Sequence, residues 1–272
     1  MFNSPVLVFD IETVPDADSG RTTLGLDGID DQDVARAMAH RRRQKTGGSE
    51  FLALHYHRIV AIAVALKEGD GFRVWSLGDK DSTEKELLER FFSGIERYDP
   101  TLVSWNGSGF DLPVIHYRAL YNSVVSKRYW ENGDTDREFR WNNYANRYHW
   151  RHIDLMDVLS GFQARATAPL DEISQLLGLP GKMGVSGADV WRHYTAGHID
   201  VIRNYCETDV LNTYLVYLRF QHIRGQLTTD SYELEINRVR STLVQDGRPH
   251  MTKYLSKWGP PTSQIECIDS LP

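Results

Sequence analysis

The sequence contains few cysteines and no long hydrophobic run. Its two cysteines, Cys206 and Cys267, lack the spacing of metal ligands, so we expect reduced thiols. No run approaches the roughly 20 apolar residues of a membrane span. The N-terminus enters a predicted strand without a charged leader and cleavage site. These absences predict a cytoplasmic protein without a membrane partner.

The composition is that of an ordinary globular protein. With 272 residues, 41% hydrophobic and 25% charged, the chain can form one large domain with a full core. A net charge of −6 argues, taken alone, against a polyanionic partner. Acids gathered around metal ions become locally less negative, however, and the arginines here are clustered. The net charge therefore does not decide whether the protein binds nucleic acid.

The chain is organised around an apolar stretch at residues 6–15, which predicts a buried strand. Two carboxylates, Asp10 and Glu12, stand near its end. Because strand side chains alternate, both should point to one face, and Phe9 and Ile11 to the other. Neighbouring acids on a hydrophobic strand are costly unless a cation such as Mg²⁺ or Mn²⁺ neutralises them. The alternative is a solvated turn after the strand.

Further strands are predicted at 58–66, 72–75 and 101–105. A glycine turn at 69–71 joins the first two of these, so the first three strands of the chain should form an antiparallel meander. Residues 181–187 predict a flexible loop carrying Lys182.

A second acidic segment follows the strand at 101–105, where a glycine turn leads into a helix. A dinucleotide-binding G-x-G-x-x-G loop is excluded because Leu112 stands where a glycine is needed. Asp111 is then either the N-cap of the helix or a third metal-binding carboxylate.

A third acidic position lies inside the strongest predicted helix, at about 198–221. Tyr205 and Asp209 are four residues apart and so share one side of that helix, at the edge of its apolar face. Capping and solvation explain a mid-helix Asp poorly. A structural Tyr–Asp hydrogen bond is the alternative to a functional pair.

Two segments combine features suited to nucleic acid. A predicted helix at about 31–45 carries five basic residues, and 128–151 interleaves aromatics with arginines. Such residues could stack on bases and attract phosphates. A solvated surface helix and packing of an irregular loop are the respective alternatives. We assign no role to Lys182 or Asp154.

The three acidic segments together resemble the DEDD superfamily of 3′-to-5′ exonucleases, in the variant whose third motif is Y-x-x-x-D. The motifs are Phe9-Asp10-Ile11-Glu12-Thr13, then Asn106 with Phe110-Asp111, then Tyr205 through Asp209. The residues around these motifs resemble those of stand-alone bacterial proteins related to the exonuclease domain of family B DNA polymerases. This wider resemblance is found at residues 105–107, 110–113, 176–182 and 205–212.

The resemblance implies an α/β, ribonuclease-H-like fold, with a mixed five-stranded sheet whose first three strands are antiparallel and helices on both faces. We expect an exonuclease domain at 1–222, with an insertion at about 16–57, and a C-terminal helical extension at 223–272 packed on or near it.

The resemblance also implies two divalent ions, Mg²⁺ or Mn²⁺, that stabilise the attacking and leaving oxygens. Asp10 would bridge both ions, Glu12 and Asp209 would hold the ion that generates hydroxide, and Asp111 would serve the second ion. Tyr205 would orient the attacking water, because a phenol is a poor base at neutral pH.

Asn106 and Phe110 would grip the terminal nucleotide. The expected substrate is a single-stranded 3′ end, with DNA favoured, and the products are nucleoside 5′-monophosphates. An exoribonuclease on short RNA and a decayed nucleic-acid-binding module are the alternatives. Substrate delivery would come from the insertion, from residues 128–151, or from a protein partner in replication or repair.

Overall fold

The structure, a computed structural model, describes residues 4–184 and 186–259. Its sheet has five strands in the order β3-β2-β1-β4-β5. Their bounds are β1 Val6–Pro15, β2 His57–Glu68, β3 Gly71–Ser76, β4 Thr101–Ser104 and β5 His152–Asp154. The first three strands pair antiparallel, whereas β4 pairs parallel to β1 and β5 parallel to β4. This mixed sheet with helices on both faces confirms the predicted ribonuclease-H-like fold.

The helices connect and cover these strands. Their bounds are α1 Ala17–Leu24, α2 Asp31–Thr46, α3 Glu84–Tyr98, α4 Asp111–Asn122, α5 Leu155–Leu159, α6 Leu170–Leu176, α7 Gly187–Thr195, α8 Ile199–Ile223, α9 Thr229–Asp246 and α10 Pro249–Trp258. Two of them, α1 and α7, have no counterpart in the sequence prediction. Both are short, and such helices depend on tertiary packing more than on local pattern.

The two faces of β1 enter different parts of the core. Val6 and Val8 pack with residues of α8, whereas Leu7, Phe9 and Ile11 pack with residues of α3 and α4. The alternation predicted from the sequence is therefore present. It directs the even-numbered residues of β1 toward α8.

The insertion at 16–57 packs as a small unit beside the sheet. Ala17, Val34, Met38 and Leu52 form its apolar cluster. The buried Arg118 ties this unit to the rest of the fold, because its guanidinium binds both Asp16, at 2.5 Å, and Glu84, at 2.6 Å. The insertion is thus fixed to α4 and to the start of α3.

Much of the aromatic segment at 128–151 belongs to the core. Tyr129, Phe139 and Tyr144 are fully buried, and the guanidinium of Arg151 stacks 3.7 Å from the Phe139 ring centre. The Tyr144 hydroxyl donates to the carbonyl of Pro100, just before β4. Packing against the core beside the first residue of β4 therefore accounts for the presence of these aromatic residues. Trp141 and Tyr148 of the same segment stay exposed.

The C-terminal helices α9 and α10 pack beside α8. The Tyr254 hydroxyl donates to Asn212 Oδ1 at 2.8 Å, and both Arg248 and His250 contact the buried carboxylate of Glu207. No helix in residues 4–184 and 186–259 is long and apolar enough to cross a membrane. Cys267 lies outside the described residues.

Candidate active site

Four carboxylates from three elements converge beside the centre of the sheet. Asp10 and Glu12 project from β1 toward α8, and the neighbouring Cys206 of α8 places its Sγ 3.4 Å from Asp10 Oδ2. Asp209 lies on α8 one turn after Tyr205. The β1–β2 register shifts directly after Glu12, and such bulges re-aim side chains beside functional sites.

Asp111 reaches the same place from the start of α4. The pairing of β1 with β4 covers only Val6 to Val8, which leaves the next part of that edge of β1 unpaired. Asp111 Oδ1 accepts the backbone N–H of Ile11 at 3.1 Å. Phe110, not Asp111, is the N-cap residue of α4. The N-cap alternative is therefore wrong, because this carboxylate binds β1.

Burial raises the pKa of every carboxyl group in this cluster, and repulsion within the cluster adds to the rise for Asp10 and Glu12. The pKa values of Asp10 and Glu12 lie well above their ordinary values, first because of burial and then because of the neighbouring acids. Burial raises the pKa of Asp111 and of Asp209 to about 7. Four such groups cannot all be ionised without a cation.

Tyr205 lies at the edge of the cluster and is 7% exposed. Its hydroxyl forms a hydrogen bond with the Asp209 carboxylate. Burial, and then the charge of Asp209, raise the pKa of Tyr205 above its ordinary value of 10.0. The phenol therefore stays protonated at neutral pH and can donate a hydrogen bond but cannot act as a base.

Lys182 supplies positive charge to the cluster. Its ammonium group counteracts the rise in the pKa of Glu12 and of Asp209. Its backbone is held in place, since its N–H donates to Asp171 Oδ1 at 2.6 Å and its carbonyl accepts from Lys257 Nζ at 2.8 Å. Only the fold reveals this placement, because Lys182 is distant in sequence from all four acids.

Asp154 organises the loop between β4 and α4. Its two carboxylate oxygens accept the backbone N–H groups of Asn106 and Ser108, both at 2.8 Å. Asn106 has a φ of 65°, a left-handed conformation that asparagine adopts more readily than most residues. A side chain at Gly107 would place its Cβ 2.2 Å from Ser104 Oγ. The loop geometry therefore depends on these residues.

A cleft of about 520 Å³ opens beside Glu12. Asn106 and Phe110, the predicted gripping residues, line it. Sequence reasoning missed its other aromatic walls, Phe51 from the insertion and Trp191 from α7. The Phe51 and Phe110 ring centres lie 5.8 Å apart. The cleft therefore joins carboxylates to flat apolar surfaces.

The donor set suits a divalent cation. Ligand atoms of Asp10, Glu12 and Cys206 lie within 4.8 Å of one another. Burial and the Asp10 charge raise the pKa of Cys206, whose S–H donates to Asp10, so the sulfur remains a thiol. The remaining donors are carboxylate oxygens, which Mg²⁺ and Mn²⁺ prefer. The four acids could therefore hold the two predicted ions.

Comparison with known proteins also indicates an exonuclease. A family described as predicted 3′-5′ exonucleases related to the exonuclease domain of PolB matches residues 49–258. The match includes Asp111, Tyr205 and Asp209, whereas Asp10 and Glu12 precede it.

A DNA polymerase of Archaeoglobus fulgidus is 24% identical over 164 residues. That alignment covers 57% of this chain and 19% of the polymerase, so the chain spans only a small part of this relative. The family match covers more than half of the chain and the fold agrees with it. The chain therefore belongs to the family of predicted 3′-5′ exonucleases related to the exonuclease domain of PolB.

Proposed function

We propose that this protein is a metal-dependent 3′–5′ exonuclease that hydrolyses single-stranded nucleic acid, DNA in preference to RNA, to nucleoside 5′-monophosphates. The observation that carries the proposal is the convergence of Asp10, Glu12, Asp111 and Asp209 beside the aromatic cleft. These four side chains would hold two divalent ions. When bound, the ions neutralise charge on the reacting phosphate and make a strong nucleophile available at neutral pH.

The remaining residues would position the substrate and the attacking water. The Tyr205 hydroxyl donates a hydrogen bond to Asp209, and its oxygen can accept a hydrogen bond from that water and so orient it. Lys182 contributes a positive charge where the phosphate must approach four acids. Phe110 and Phe51 offer ring faces to the terminal base, and base stacking on aromatics tolerates any sequence.

The size of the cleft favours removal of single nucleotides. A volume of about 520 Å³ lies within the range of roughly 300–1,000 Å³ for pockets that enclose a small ligand. One nucleotide fits such a space, whereas a duplex does not.

Digestion of matched 5′-labelled DNA and RNA oligomers with Mg²⁺ or Mn²⁺ tests the proposal. We expect DNA to shorten stepwise from its 3′ end, and Asp10→Asn to abolish this. Asp230→Asn is the matched control, because it makes the same change at an exposed acid in the first turn of α9. Faster digestion of RNA would reassign the substrate to short RNA. Cleavage of neither polymer would contradict the proposal.

A further inference from the structure

The insertion at 16–57 contributes directly to the nucleotide cleft. Phe51 is 58% exposed, yet its ring centre lies 5.1 Å from His57 and 5.8 Å from Phe110. Arg42 of α2 donates from Nε to the Phe51 carbonyl at 3.0 Å. The basic helix α2 therefore positions one wall of the cleft.

A basic hollow of about 230 Å³ lies directly beside that wall. Its basic lining residues are Arg41, Arg42, Lys45 and His55. Among the described residues that line it there is no carboxylate. Leu52 lines both this hollow and the nucleotide cleft. The two spaces are therefore neighbours on either side of the chain segment at 51–53.

An aromatic face of α4 continues the same surface. Tyr117 lies two helical turns after Phe110 and so on the same side of the helix, and it is 48% exposed. Its ring makes an edge contact with His55, at 5.9 Å between centres. Tyr121 follows one turn later, 63% exposed, with its inner face stacked 4.4 Å from the Arg118 guanidinium. The outer faces of these rings are available for stacking.

We infer that these residues form a guide for the strand upstream of the 3′-terminal nucleotide, which leaves the cleft over Phe51. The guide surface is defined by Arg41, Arg42, Lys45, His55, Tyr117 and Tyr121. Single strands are bound in this way in general, with basic side chains along the phosphates and aromatic rings under successive bases. The inference rests on the proposed function.

Charge complementarity favours a nucleic-acid strand as the ligand of the guide surface. The basic side chains of the hollow suit a polymer with one negative charge per nucleotide, and the rings beside it offer exposed faces for stacking rather than a closed apolar groove. Nucleic acid satisfies both requirements at once.

The test measures how affinity depends on strand length and on salt. In the Asp10→Asn background, which prevents digestion, we compare Arg41→Gln/Lys45→Gln with Arg36→Gln/Arg43→Gln on a ten-nucleotide DNA. The control pair removes the same charge from the opposite side of α2, where Arg36 and Arg43 are paired with Asp33 and Glu50. We expect the guide variant alone to bind at least tenfold more weakly. Its log–log salt slope should become shallower by about 1.4, since each phosphate contact contributes roughly 0.7 for single strands.

Activity of the catalytically intact protein separates this inference from the proposed function. The Arg41→Gln/Lys45→Gln variant should raise KM for the ten-nucleotide strand without changing cleavage of a dinucleotide, which needs only the cleft. Equal losses in both variant pairs, or unchanged affinity in the guide variant, would overturn the guide while leaving the exonuclease intact. Failure of the unmodified protein to cleave either substrate would instead overturn the proposed function.

A second variant tests the aromatic part of the guide. Tyr117→Ala should weaken binding of the ten-nucleotide DNA severalfold and leave binding of an abasic strand of equal length unchanged. Equal weakening of both strands would overturn the stacking role. A protein that is dimeric in solution and becomes monomeric with Tyr117→Ala would assign this face to a second copy, and would also overturn the guide.

Discussion

Asp111 Oδ1 accepts the backbone N–H of Ile11 at 3.1 Å, so a carboxylate at the start of α4 completes the hydrogen bonding of the central strand. Ile11 stands between Asp10 and Glu12 on β1. The bond therefore fixes Asp111 beside both acids without using either of them. One side chain joins two parts of the proposed site that are 100 residues apart in sequence.

This relationship predicts different effects for two substitutions of Asp111. Asp111→Asn keeps an acceptor oxygen for Ile11 and removes a charge, so folding stability without metal should be retained or raised. Activity should fall at least a hundredfold. Asp111→Leu leaves a buried N–H without its partner, which costs about 1–3 kcal/mol. Urea unfolding in EDTA measures both, and equal destabilisation by the two variants would contradict the account.

The raised pKa values predict how stability depends on pH. Asp111 and Asp209 have folded pKa values of about 7 against an ordinary 3.8, so between these values the folded state binds more protons than the unfolded state. Their contribution to stability therefore falls as pH rises from about 4 to 7. Below pH 4 these carboxyl groups are protonated in both the folded and the unfolded state, so burying them carries no cost of ionisation.

Buried histidines have the opposite effect on the pH dependence of stability. Their contribution cancels when a variant is compared with the unmodified protein, because both contain the same histidines. Burial lowers the pKa of His116 and of His152 to about 4, so their contribution rises between that value and their ordinary 6.5. The unfolding free energy of Asp111→Asn/Asp209→Asn should exceed that of the unmodified protein in EDTA by an amount that grows from pH 4.5 to about 7 and then levels off. A difference independent of pH would show that these carboxyls do not titrate abnormally.

Tyr205→Phe should separate positioning from metal binding. Loss of the hydroxyl removes the hydrogen bond to Asp209 and the oxygen that orients the attacking water, so kcat should fall by up to about 100-fold. Mn²⁺ affinity, measured by calorimetry, should change little because the carboxylates remain. Unchanged kcat in the variant would exclude a role for this hydroxyl in the reaction.

Lys182→Gln should lower kcat/KM at least tenfold. The ammonium group offsets the negative charge of Glu12 and Asp209, and its loss leaves the phosphate facing unscreened acids. Mn²⁺ binding should not weaken, because removing a positive charge favours a cation. Lys182→Arg should restore part of the activity. A variant with weaker Mn²⁺ binding and normal turnover of metal-saturated enzyme would contradict this assignment.

Asp154→Ala should alter substrate binding more than chemistry. It removes the acceptors for the N–H groups of Asn106 and Ser108, so the loop that carries Asn106 should loosen. We expect KM for short oligomers to rise and stability to fall by about 1–3 kcal/mol. Asp79→Ala is the control for general loss of a carboxylate, because Asp79 also accepts a loop N–H, from Asp81 at 3.0 Å, but does not line the cleft. Equal KM in the Asp154 variant and the unmodified protein would contradict a positioning role.

The sequence predicts those parts of the site that depend on local periodicity. Strand alternation puts Asp10 and Glu12 on one face, and helix spacing puts Tyr205 beside Asp209, as the structure has them. The bond from Asp111 to Ile11 depends on where the pairing of β1 with β4 ends, which no local pattern reveals. Phe51 and Trp191 were missed because they reach the cleft from the insertion and from a short helix, two segments far apart in sequence. The places of Lys182 and Asp154 could not be predicted either, because Lys182 lies near Glu12 and Asp154 bonds Asn106, which are both distant from them in sequence.

The central claim is hydrolysis from a free 3′ end by the four-carboxylate site. Its most direct test compares three DNA oligomers of one sequence: linear, circular, and linear with an inverted 3′-terminal nucleotide. With Mn²⁺, we expect degradation only of the oligomer with a free 3′ end, with 5′-monophosphates as products, and no degradation of any of the three by Asp10→Asn. Cleavage of the circle by the unmodified protein, with loss of that cleavage in Asp10→Asn, would show an endonuclease and contradict the account.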